Sequence, residues 1–209
     1  MPDDDDRRAE LLAALTTEHF VLQSMRATST GEAGSRGFLF VGALSSSLVA
    51  LGFVAQFEDV FAAFAAAVIP ALLILGLFTY VRMAEIGIED LTFVHRIQRI
   101  RTYYRDLTPE AARYFPGSAR SGWEAFAEAA SVGRTGRFNY LFTMASMIGA
   151  INSIVAGVGI ALLLDGAFGV ARTIAVVVGI AVALGAMTLF GRDEQRRFRR
   201  LQAEQEAEG

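Results

Sequence analysis

Phe138–Leu164 is a run of twenty-seven residues without one charged side chain. As a helix it would reach about 40 Å, more than the ~30 Å hydrocarbon core of a bilayer. One face carries Ala145, Gly149, Ser153, Gly157 and Ala161 at strict four-residue spacing, with Asn152 beside it. Small residues repeated in this way let helix backbones approach closely in lipid, where no hydrophobic drive brings helices together. A four-residue step advances about 400°, so the stripe drifts ~40° per step and suits a crossing helix.

Three further apolar stretches follow the same logic. Residues 38–55 are uncharged and close to the minimum spanning length, with Ser45, Ser46 and Ser47 in their middle. Residues 60–81 form a second span after the short polar connection Gln56-Phe57-Glu58-Asp59. Pro70 lies within it and predicts a kink, because proline lacks a backbone donor and crowds the preceding turn. Asp165–Gly169 reads as a tight turn before a fourth span at 173–190, where Ala175, Gly179 and Ala183 repeat the four-residue step. The expected fold is an all-α integral membrane protein with four transmembrane helices as two antiparallel hairpins, joined and flanked by cytoplasmic amphipathic helices. At 53% hydrophobic content the chain is too apolar for an ordinary soluble domain.

Between and beyond the spans, the chain divides further. Residues 1–37 comprise an amphipathic helix, with Leu11, Leu12, Leu15, His19, Leu22 and Met25 at helical steps, and a Gly-rich connector at 28–37. That connector is either a loop or a helical extension. The acidic start, Asp3–Asp6, is unlike the positive opening of a signal peptide. Residues 82–137 read as a cytoplasmic helical module. An a/d seam runs from Met83 to Leu107, broken once by Asp90; Thr108-Pro109 signals a helix start, and 123–132 predicts another short helix. The spanning hairpins occupy 38–81 and 138–190, and 191–209 is a charged cytoplasmic tail.

Arginine sets the orientation. All nineteen basic residues are Arg, and placing both termini and the central module in the cytoplasm leaves only Arg172 outside. The expected location is a cell inner membrane, multi-pass, N-in and C-in.

Function is less legible. With no cysteine and two histidines, thiolate and histidine-rich metal sites are disfavoured, and neither metal nor cofactor is expected. No nucleophile-elbow, P-loop or zinc-protease motif is present, so an enzyme is not expected. Spans without Asp, Glu, Lys, Arg or His disfavour a proton- or ion-coupled transporter. They remain compatible with a homo-oligomeric ion channel or pore-forming protein gated from the cytoplasmic side. Its candidate lining is Ser45, Ser46 and Gln56 on the first span and Ser146, Asn152 and Ser153 on the third, the latter surface extended by Thr143. The alternative is a membrane-anchored scaffold that recruits a cytoplasmic partner through 82–137. Ala145, Gly149, Gly157, Ala161, Ala175, Gly179 and Ala183 are assigned to helix packing. Arg96, Arg99, Arg101 and Tyr104 are candidates for lipid headgroups or an anionic ligand, by bidentate guanidinium contact and ring stacking. Expected partners are the bilayer, further copies of the chain and a cytoplasmic protein or anionic ligand, with no role for nucleic acid.

Overall fold

The computed structural model describes residues 4–115 and 143–208. Among these the chain is all-helical: α1 (Asp4–Val54), α2 (Glu58–Leu107), a 3-10 turn (Ala111–Arg113), α3 (Met144–Phe168) and α4 (Arg172–Glu208). Four helices are long and apolar enough to cross a membrane. The chain divides into two compact units: Met1–Glu32 with Ile86–Asn139, here unit 1, and Ala33–Glu85 with Tyr140–Gly209, here unit 2.

Several local expectations are refined. The Gly-rich connector is helix, continuous within α1, so of the two readings of 28–37 the helical extension is the one observed. Three glycines lower helix propensity there. Gly37 nevertheless packs within unit 2, where an added Cβ would press on the methyl groups of Met83 and Met144. Pro70 sits inside α2 without ending it. Thr108 accepts a hydrogen bond from the Ala111 N–H, as a helix-starting residue would, and among the described residues up to Phe115 a 3-10 turn follows. The helix expected at 123–132, and residues 138–142 of the third span, lie outside the described residues.

At the end of α3 the expected turn is displaced. Asp165–Phe168 continue the helix, and Gly169 terminates it in the left-handed conformation (φ 61°, ψ 27°). The N–H groups of Gly169 and Val170 both reach Leu164 O, which satisfies the carbonyl left open by the helix end. The charged segment after 190 is likewise helical, as the second half of α4.

Unit 2 is built around α3, the most buried of the four apolar stretches. Its core gathers Phe40 of α1, Tyr80, Met83 and Ala84 of α2 and Ala145 and Ile148 of α3, with Phe190 of α4 against them. Contacts between α3 and α4 step in opposite directions along the two helices: Thr143 meets Glu194, Gly149 meets Phe190, and Gly157 meets Gly179. A Cβ on Gly179 would lie 2.5 Å from Gly157 O, and one on Gly157 would collide with Gly179 O. Only glycine permits this approach. Ala145, Gly149 and Gly157 on α3 and Ala175 and Gly179 on α4 are buried, with Ala161 and Ala183 partly so.

Unit 1 is packed differently. Leu22 of α1 and Ile97 and Ile100 of α2 form its core, covered by Leu15, Phe93 and Tyr104. Arg26 makes a two-pronged ion pair with Asp90, Nε to Oδ1 at 2.6 Å and Nη2 to Oδ2 at 3.2 Å. The acid that breaks the apolar seam of α2 is thus the partner of an arginine on α1.

Candidate functional site

Polar groups in unit 2 fall into an inner set and an outer set. Asn152 and Ser153 belong to the inner one, 5% and 1% exposed. Ser153 returns its hydrogen to Gly149 O at 2.7 Å, so it presents no free donor. Asn152 Nδ2 donates to Leu73 O on α2 at 3.3 Å. Its Oδ1 is buried without a hydrogen-bond partner and faces Gly76, where an added Cβ would clash with it. The hydrogen that Gly76 carries in place of a side chain points at that oxygen, a weak C–H···O contact of about 0.5–1 kcal/mol. Asn152 therefore fixes the register of α2 against α3.

A second inner cluster lies where the uncharged stretch of α4 has ended. Tyr80 stacks edge-on against Phe190, with ring centroids 4.4 Å apart. Its hydroxyl lies 3.0 Å from Phe190 O and 3.2 Å from Asp193 Oδ2, and donates to that pair of acceptors. Asp193 is in turn paired with Arg197 Nε at 2.8 Å. Thr143, the N-cap of α3, accepts from Ser146 N–H at 3.1 Å and donates to Glu194 Oε1. Glu194 is 3% exposed, and its Oε2 has no partner among the described residues. Burial pushes its carboxyl upward; the Thr143 hydrogen bond opposes this and nearby Asp193 adds to it.

The outer set lies on α1 and in the turn that follows it. Ser45 and Ser46 are exposed, and neither hydroxyl is hydrogen-bonded among the described residues. Gly42 and Gln56 are also exposed, and Gln56 Nε2 turns back to Phe53 O at 3.2 Å. Of the six candidate lining residues, the structure thus turns Asn152 and Ser153 inward, leaves Ser146 half-buried beside Thr143, and leaves Ser45, Ser46 and Gln56 outward. In unit 1, Arg96 and Arg99 are exposed, whereas Arg101 and Tyr104 are half-buried and line a common cleft.

Sequence reasoning missed Tyr80, Asp193 and Glu194. A signal was present: continuing the small-residue stripe Ala175, Gly179, Ala183 along the helix reaches Phe190 and then Glu194 on the same face. Among the described residues no group of His, Asp or Glu side chains is arranged to hold a metal ion. No protein-family model matches the chain, and comparison with curated proteins and with solved structures gives no match.

Proposed function

We propose that the protein is a homo-oligomeric channel or pore-forming protein of a cell inner membrane, with α1 lining the pore and no catalytic role. In this reading the helices form two antiparallel hairpins, both termini are cytoplasmic, and the polar ends of α1 and α2 form the gating side. One observation carries it: Ser45 and Ser46 stand exposed and unbonded at the middle of an otherwise apolar span. A hydroxyl left without a partner in an apolar medium costs about 1–3 kcal/mol, which water in a pore or a facing copy of the helix removes. Asn152 and Ser153, the rival lining, are already used in packing unit 2.

The test is reconstitution of the purified chain in planar bilayers. Unitary conductance is expected, and a Ser45→Leu, Ser46→Leu double variant should lower it severalfold while the protein still elutes as the same oligomer. Bilayers that stay silent across pH and voltage overturn the channel reading and leave that of a membrane-anchored scaffold.

A further inference from the structure

Unit 1 contains a cleft of about 500 Å³, lined by Thr16, His19 and Phe20 of α1, Arg101 and Tyr104 of α2, and the aromatic pair that follows the 3-10 turn. Such a volume matches the pockets that enclose small organic ligands. Three features of its lining define what it would hold.

The first is charge. Arg101 forms no ion pair or hydrogen bond among the described residues, although Arg26, Arg82, Arg105 and Arg197 each have a carboxylate partner. Among the described residues no carboxylate lines the cleft. A half-buried guanidinium with its fork of donors unused is a ready partner for a phosphate or carboxylate.

The second is the set of remaining donors. Thr16 gives its hydrogen to Leu12 O at 2.8 Å, so in the 3.1 Å contact between Thr16 and Tyr104 it is the phenol that donates. Both hydroxyl hydrogens are therefore committed inside the protein. Burial pushes the His19 imidazole below its ordinary value, with Arg101 beside it acting in the same direction. Its Nδ1 is buried and unpartnered, so the favoured tautomer carries the proton on Nε2 and avoids an orphaned N–H. Among the described residues, Arg101, His19 and the exposed hydroxyl of Tyr114 are the donors left for a ligand.

The third is shape. Tyr104 stacks on Phe115 with centroids 5.7 Å apart, and Phe20 and Tyr114 stand exposed at 68% and 80%. Exposed aromatic rings beside an unpaired cation offer flat surfaces for another ring.

We propose that this cleft binds a soluble phosphate ester that carries a planar ring, of mononucleotide size, with the phosphate on Arg101 and the ring between the aromatic side chains. The site stands independently of conduction, since it is read by binding alone. The experiment titrates the full-length protein in detergent with adenosine 5′-monophosphate, adenosine and inorganic phosphate, by calorimetry. Saturable nucleotide binding is expected, at least about tenfold tighter than either half alone, because both the charge-assisted and stacking contacts contribute. Arg101→Gln should weaken it by about tenfold or more. Tyr114→Ala, at a side chain too exposed to support folding, should weaken it severalfold with the melting temperature unchanged. No saturation by the nucleotide, equal binding of inorganic phosphate, or unaltered binding by Arg101→Gln each overturns the proposal. Displacement of the nucleotide by phosphatidylglycerol vesicles at equal phosphate concentration overturns it in favour of a lipid headgroup.

Discussion

In unit 2 close backbone contacts at glycine accompany a core of Phe40, Tyr80 and Ile148, whereas the core of unit 1 is aliphatic and has no such glycine contact among the described residues. In unit 2, Gly157 and Gly179 bring two backbones into contact, and Gly76 and Gly149 admit the side chains of Asn152, Phe40, Tyr80 and Phe190. In unit 1, Leu22, Ile97 and Ile100 fill a core that an Arg26–Asp90 ion pair flanks. The difference is the one expected if unit 2 lies in lipid and unit 1 in water, as proposed above. In water, removing large apolar side chains from solvent stabilises by roughly 25 cal/mol per Å². Lipid tails are as apolar as leucine, so that term vanishes and close packing of backbones takes its place. The glycines follow the same division: Gly31 and Gly87 of unit 1 have nothing near the position a Cβ would occupy, whereas Gly76, Gly149, Gly157 and Gly179 of unit 2 each meet a neighbour there.

This contrast can be broken most directly at Gly157. A Gly157→Leu substitution should destabilise the protein by about 3 kcal/mol, since the crossing helices cannot part without losing their contacts. Chemical unfolding in detergent measures it, and a change within error would remove glycine contact as the basis of unit 2. Glu194→Gln probes the one carboxylate buried in unit 2 among the described residues. With the folded value raised above its ordinary 4.5, the native state binds more protons than the unfolded one between the two values. Stability should therefore fall as pH rises from 4.5 through the folded value, and the amide should abolish that slope. A melting-temperature profile of both proteins reads it; identical profiles would show that Glu194 is solvated.

For unit 1, Arg26→Ala should cost about 1 kcal/mol at low salt and less as salt is added, because the pair is still partly exposed. A salt-independent loss would point instead to packing of the arginine stem. The smallest effect is expected at Gly31, where alanine should stabilise α1 by about 0.5 kcal/mol through helix propensity and a less flexible unfolded chain. A loss of stability there would mean that the glycine meets something after all.

The four apolar helices were legible because runs of this length have few other fates. Their ends were less so. Asp165-Gly166 has the composition of a turn, yet the helix runs on to Gly169, since the cap is chosen by where a left-handed residue can satisfy the last carbonyls. Gly31, Gly34 and Gly37 weaken a helix locally, but tertiary packing at Gly37 outweighs propensity. Asn152 could be read from sequence either as a pore residue or as an interhelical tie, and only the position of Leu73 O distinguishes the geometries. The cleft around Arg101 was visible in part, through Arg101 and Tyr104. Its other walls come from His19, far earlier in the chain, and from aromatics beyond the 3-10 turn, which no periodicity of α2 links to it.

The contact of Gly157 with Gly179 has a consequence for how this sequence can drift. Because a side chain on either residue meets the other's backbone, no second change within the pair compensates the first. Both positions must stay glycine together, or the helices must cross elsewhere. Divergent copies of this protein can therefore be aligned on that pair even where every other residue of α3 and α4 has been exchanged for another apolar one.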